Sequence, residues 1–286
     1  MIVDTHVHAF TDDRKNYPQV ADTPRGAAIP KVTELGQDEW PVTPVESLIG
    51  MMDEAGITKA TLVQAYYVYE YDNSYTMDSV RAHKDRFVAI PVVDPMDPAA
   101  PDELSRLVEE GAVGVRYMRG RLPESALGKP ETFPFWARLE QLGIPITITD
   151  RIGAIAQTRR AMDKYPGVKV AFDHGWGHNV GRAPYPVLKP LFDYADNPNV
   201  YVKTAVNNID AAVTAGGTAQ EFYQTLLDVF GAKRIMWSSN YPAHPRFGGI
   251  KARLESSQKA FAFMREEDRR WIFSDTAHSV WPSLKG

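Results

Sequence analysis

Eight short runs rich in β-branched residues recur along the chain with helix-patterned segments between them, and no other feature narrows the fold as far. The runs lie at 2–4, 60–64, 87–93, 113–117, 144–149, 168–173, 200–204 and 235–238. Several are apolar without alternation, as strands covered on both faces are. The segments between them carry their own start and stop signals. Thr43-Pro44-Val45-Glu46 reads as a capping box with proline at the first helical position. Leu48, Met51, Met52 and Ala55 follow at helical spacing, and Gly56 closes the turn. Asp97-Pro98 opens a second helix, with Leu104, Leu107 and Val108 on one face and Gly111 at its end. Phe135, Trp136, Leu139 and Leu142 mark a third, ended by Gly143, and further helices fit 155–165, 187–194, 219–230 and 254–263.

Eight strand–helix units averaging roughly 35 residues match the ~30 or more that one such unit needs. No Pro/Gly/Ser linker or low-complexity tract divides the 286 residues. The pattern therefore predicts the α/β class and a single (β/α)8 barrel over 1–286, with 9–43 as a long first βα loop that could act as a lid. An open doubly wound sheet is the alternative, but it wants a glycine-rich turn after an early strand, and none is present.

Composition removes whole classes of chemistry. With no cysteine, disulfides, zinc–thiolate sites, iron–sulfur clusters and a thiol nucleophile are all excluded. A net charge of −4 shows no footprint for nucleic acid or an anionic membrane. No apolar run approaches the ~20 residues of a membrane helix, and the first residues do not read as a signal peptide. A cytoplasmic protein is expected.

In such barrels the chemistry sits where strands end, so the polar residues closing each run are the informative ones. Asp4-Thr5-His6-Val7-His8 is the sharpest signal, because alternation puts His6 and His8 on one side. Two neutral imidazoles so placed can grip one divalent metal, zinc or manganese, or can simply hydrogen-bond their neighbours. Phe172-Asp173-His174-Gly175 offers His174 as third ligand, general acid or carbonyl donor, and Asp173 as an orienter of histidine. Gly175, Gly177 and Gly181 leave the next loop free to approach a ligand, and His178 within it reads as surface.

Asn240, in Trp237-Ser238-Ser239-Asn240-Tyr241-Pro242, should point into the mouth, where an amide can orient water or a carbonyl but cannot act as a base. Arg116 is the best clamp for a substrate carboxylate. Arg119, Arg121 and Arg151 read more readily as surface, although Arg119 is retained with Lys203 and Trp237 as a substrate-binding candidate. Asp150 closes the fifth run and could serve as a base or orient a histidine. Tyr66 and Tyr67 open a stretch with four tyrosines in six residues, which suits either a pocket wall or a subunit interface. His83, His244 and His278 read as bystanders.

Taken in order, Val3-Asp4-Thr5-His6-Val7-His8, Val113-Gly114-Val115-Arg116, Phe172-Asp173-His174-Gly175, the Trp237–Pro242 stretch and Asp275-Thr276-Ala277 resemble the amidohydrolase superfamily. The likeness is to its amidohydrolase-2 group, which includes 2-pyrone-4,6-dicarboxylate lactonase, sugar and muconolactone lactonases and galactarolactone isomerase. The resemblance implies a (β/α)8 barrel and hydrolysis or rearrangement of a cyclic ester, an EC 3.1.1 type of activity. His6, His8, His174 and Arg116 match family positions. Two departures stand out. The fifth strand ends Thr149-Asp150 with no histidine, as in the lactonases, and Asn240 replaces the usual aspartate, as in the isomerase branch. Both weaken the case for a tightly held metal.

The expected activity is therefore that of a hydrolase on a small carboxylated lactone, its carbonyl polarised by His6, His8 and His174 with or without a metal. Alternatives are a lactone isomerase, a metal-dependent decarboxylase of the same superfamily, and a binding protein that kept its pocket. A small-molecule partner, no nucleic acid and no membrane are expected, and a homodimer is compatible with the tyrosine-rich stretch.

Overall fold

A computed structural model describes residues 1–22, 40–119, 125–177 and 179–285. All eight predicted strands form: β1 (Val3–Val7), β2 (Lys59–Val63), β3 (Phe87–Ile90), β4 (Val115–Met118), β5 (Ile146–Thr149), β6 (Val170–Phe172), β7 (Val200–Thr204) and β8 (Ile235–Trp237). Every pairing between consecutive strands is parallel, within a three-stranded set β1–β2–β3 and a five-stranded set β4–β8. Parallel bridges Ala89–Ala112 and Val92–Arg116 join the sets on one side, and Val7–Tyr241 joins them on the other. The sheet closes into the predicted barrel.

Inside and outside follow the two-residue repeat of a strand. Val63, Ile90, Ala171, Tyr201 and Met236 face inward and meet Ala277, Val280, Trp281 and Leu284, which plug the barrel floor. Their neighbours Leu62, Ile148, Phe172, Val202 and Trp237 face the helices. The polar residues that close the strands stand above the floor, in the mouth.

The helices fall near their predicted places, and the starts differ for identifiable reasons. The box at Thr43 does not form. Its hydroxyl donates to the Pro41 carbonyl at 2.8 Å, so helix Val45–Glu54 begins without a side-chain cap. Asp97 accepts from the Ala99 amide at 2.8 Å, a turn that delays the next helix to Ala100–Glu109. Gly143 takes the left-handed conformation, φ 65°, that ends helix Phe133–Leu142. The Ala219–Phe230 helix has the predicted bounds, and Thr218 with Glu221 supplies a true capping box. The predicted helix at 155–165 is broken into Ile152–Ile155, a 3-10 turn and Arg159–Lys164. Among the described residues no helix is long and apolar enough to cross a membrane. Residues 23–39, where a lid was expected, and Arg121 and His178 lie outside the described residues.

Candidate active site

Strand alternation delivers His6, Arg116, Thr149, Asp173, Lys203 and Ser238 to one interior space, and all but Thr149 are almost wholly buried. Asp173 is the hub. Its Oδ1 lies 3.0 Å from Lys203 Nζ and 3.3 Å from His6 Nδ1. Its Oδ2 accepts from the Thr149 hydroxyl at 2.6 Å and lies 3.3 Å from Arg116 Nε. Burial alone would raise this carboxyl. The cations Lys203 and Arg116 outweigh burial and hold it well below the ordinary range.

Proton accounting fixes His8. His8 Nδ1 sits 2.7 Å from the Val63 carbonyl, a contact that requires the hydrogen on His8. Burial pushes the His8 ring down to about 3, so it is neutral and its Nε2 carries a lone pair. His6 has an acceptor at each ring nitrogen, His8 Nε2 at 3.1 Å from its Nε2 and Asp173 Oδ1 at 3.3 Å from its Nδ1, with Lys203 Nζ also 3.5 Å from Nδ1. Burial lowers His6 well below its ordinary value, so the ring holds one hydrogen, which serves either His8 or Asp173. The neutral His8 ring is the fixed member of the pair. Its expected signature is a His8 ring signal that does not move in NMR between pH 8 and 5. An unfolded histidine takes its proton near 6.5, so the His8 contribution to stability is complete above that pH and declines as pH falls toward about 3. A His8 midpoint near 6.5 would overturn the assignment.

His174 stacks edge-on to His6, with centroids 4.8 Å apart. The Ser238 hydroxyl spends its hydrogen on the Thr204 carbonyl at 3.0 Å and accepts from His174 Nδ1 at 3.4 Å. Asn207 and Asn208 donate to the His174 carbonyl. Asn240 follows β8 with a left-handed backbone, φ 55°, and its amide N–H donates to the His6 carbonyl at 3.0 Å.

Arg116 is less free than a pure clamp. Besides Asp173 it donates to Thr149 Oγ1 at 2.8 and 3.1 Å and to the Gln64 carbonyl at 3.4 Å. Arg119 pairs with Asp150 at 3.1 Å, and burial raises the Asp150 carboxyl. Two substrate-binding candidates, Lys203 and Trp237, are wholly buried. Lys203 belongs to the buried cluster, above the Trp281 ring at 5.3 Å. Trp237 is turned into the helix layer against Phe273, because its neighbour Met236 takes the inward position.

Tyr67 and Tyr66 lie on the short helix after β2, their rings 5.9 Å apart. Tyr67 meets Trp40 edge-on at 6.1 Å, and Trp40 stacks on His8 at 5.0 Å and 25°. The tyrosine-rich stretch thereby joins the wall of the mouth. Sequence reading missed Trp40 and the bridging Thr149. The Thr149 signal was available, since it shares the inward register of Arg116 across the β4–β5 pair, whereas no sequence pattern sets Trp40 over His8.

The family model described as Amidohydrolase matches residues 3–282, and the chain belongs to that family. No match to a curated protein was found. The fold recurs in the "probable 2-pyrone-4,6-dicarboxylic acid hydrolase" of Acinetobacter baumannii, solved with citric acid bound, at 19% identity, 98% and 99% coverage and a TM-score of 0.77. It also recurs in a zinc-bound amidohydrolase of Burkholderia multivorans, at 15% identity, 99% coverage of both chains and 0.72. A manganese-bound dihydroxybenzoic acid decarboxylase of Polaromonas sp. JS666, complexed with 2-nitroresorcinol, gives 17%, 98% and 96%, and 0.68. At these identities the likeness is one of fold.

The donor set in this chain does not fit a tightly held ion of that kind. His6 and His8 bring two Nε2 atoms together, as two ligands would. Among the described residues, however, no three histidine or acidic side chains are placed to hold a metal. Asp173 is committed to Lys203, Arg116 and Thr149, two fixed cations that oppose a third, and β8 presents the amide of Asn240.

Proposed function

We propose that this amidohydrolase acts on a small carboxylated lactone without a resident metal. The observation that carries the reading is charge: one buried carboxylate faces two buried cations beside the neutral His6 and His8, so this cluster is net positive and suits an anionic substrate. Arg116 attracts the substrate carboxylate while Tyr67 and Trp40 flank the ring. His6, with its hydrogen on Nε2, donates to the lactone carbonyl and stabilises the developing oxyanion, a role typically worth about 3 kcal/mol. His174 Nε2 takes the proton of the attacking water, the water oxygen bonds to the carbonyl carbon, and the ring C–O bond breaks. The same proton then goes to the leaving oxygen. Asn240 positions the nucleophile.

Asn240 also supports a second reading. An amide cannot deprotonate water, and a substrate hydroxyl attacking the same carbonyl would give an isomeric lactone in place of the open acid. Decarboxylation of an aromatic acid is the remaining alternative.

The experiment is a panel of 2-pyrone-4,6-dicarboxylate, muconolactone, galactarolactone and 2,6-dihydroxybenzoate, each with and without a strong chelator. Turnover of a carboxylated lactone, unchanged by chelation, is expected. Carbon dioxide from the dihydroxybenzoate, or lactone turnover abolished by the chelator and restored by zinc, would overturn the proposal.

A further inference from the structure

Arg253 lies on helix Ile250–Ala260, outside the barrel and away from the histidines, yet only 1% of it is exposed. A buried arginine is costly unless its donors are met. Here they are met entirely by the backbone of the loop that carries Asn240. Nη1 donates to the carbonyls of Ser239 at 3.1 Å and Asn240 at 3.2 Å, Nη2 to His244 at 2.9 Å and Nε to Gly248 at 2.8 Å. From the other side Asp4 Oδ1 accepts from the Ser239 amide at 2.9 Å. Ser239 is thus held at both its N–H and its carbonyl by buried groups of opposite charge. The Asn240 N–H is tied to the His6 carbonyl, so both peptide units flanking Asn240 are fixed. A left-handed φ is uncommon outside glycine, although asparagine tolerates it, and it persists where surrounding contacts impose it.

We propose that Arg253 is a positioning residue for Asn240, aiming its side-chain amide at the nucleophile by clamping four carbonyls of the β8 loop. The inference rests on the role given to Asn240 above. Lysine keeps the charge but concentrates its donors on one nitrogen, which cannot span four carbonyls as a guanidinium does.

The test is a double-mutant cycle on the panel lactone that wild-type protein turns over fastest. Arg253→Lys is expected to lower kcat by about 10- to 100-fold, the scale of a misplaced reacting group, with KM within about twofold. Arg253→Lys/Asn240→Ala is expected to be no slower than Asn240→Ala alone. In protein labelled with 15N-asparagine, the side-chain cross-peak that Asn240→Ala removes should shift in Arg253→Lys. If Arg253→Lys does not fold, Arg253→Ala with added methylguanidinium takes its place, and recovery of kcat is the supporting result. Multiplying losses in the cycle, or an unmoved Asn240 cross-peak, would overturn the proposal. Wild-type kcat in Asn240→Ala would instead sink the role of Asn240, whatever Arg253 does.

Discussion

Asp173→Asn is expected to cost about 3–5 kcal/mol of stability, the scale seen when one member of a buried charge cluster is removed. It should also lower kcat/KM roughly 100-fold, as when the partner orienting a functional imidazole is lost. Among the described residues the carboxylate is the only anion that Lys203 and Arg116 both contact, and all three side chains are buried. An amide leaves two cations in low dielectric without compensation. The sign with pH follows from the depressed carboxyl. The Asp173 contribution is complete above its unfolded value near 3.9 and is lost as pH falls below that, so wild type should lose its advantage over the variant in acid. Adding Lys203→Met should recover part of the stability by removing one unpaired cation, but none of the activity, because the carboxylate beside His6 Nδ1 is still missing. Chemical denaturation of wild type, the single variant and the double variant checks this. A single variant as stable as wild type would mean that Asp173 is not the counterion of the cluster.

Asn240→Asp should change what the enzyme makes. A carboxylate in that place can accept a proton from water, so the share of open-chain acid among the products should rise. It also cancels the net positive charge of the cluster. KM for a carboxylated lactone should therefore rise about tenfold, equivalent to about 1.4 kcal/mol. A carboxylate added at the end of β8 offers the His6 and His8 pair a third ligand, and zinc uptake should approach one ion per chain. Product analysis by NMR and metal analysis after dialysis read both effects. An unchanged product ratio together with unchanged zinc content would show that position 240 does not set the outcome.

The barrel was legible because its signals are local. β-Branched runs gave eight strands, and Gly143 marked a helix end where it occurs. His6, His8 and Arg116 could be placed by strand position and alternation alone. The remainder depends on how elements far apart in sequence meet. Asp173, Lys203 and Arg116 close strands β6, β7 and β4, and nothing within any of those strands states that one carboxylate serves two cations. The sequence therefore offers Lys203 only as a substrate-binding candidate. Trp237 failed for a simpler reason, since a one-residue shift in register carries a side chain from the interior to the helix layer. Thr43-Pro44-Val45-Glu46 has the letters of a capping box, but its hydroxyl finds the Pro41 carbonyl first. The grip of Arg253 on the β8 loop is invisible in sequence, because its partners are backbone carbonyls, which every residue has.

The central claim is that the imidazole cluster directs water to the carbonyl carbon of a carboxylated lactone. The most direct measurement is mass spectrometry of the product formed in 18O-labelled water. Incorporation of one 18O into the carboxylate of the open-chain acid, unaffected by chelator, is the predicted result. Release of carbon dioxide from a ring acid with no lactone turned over would contradict it.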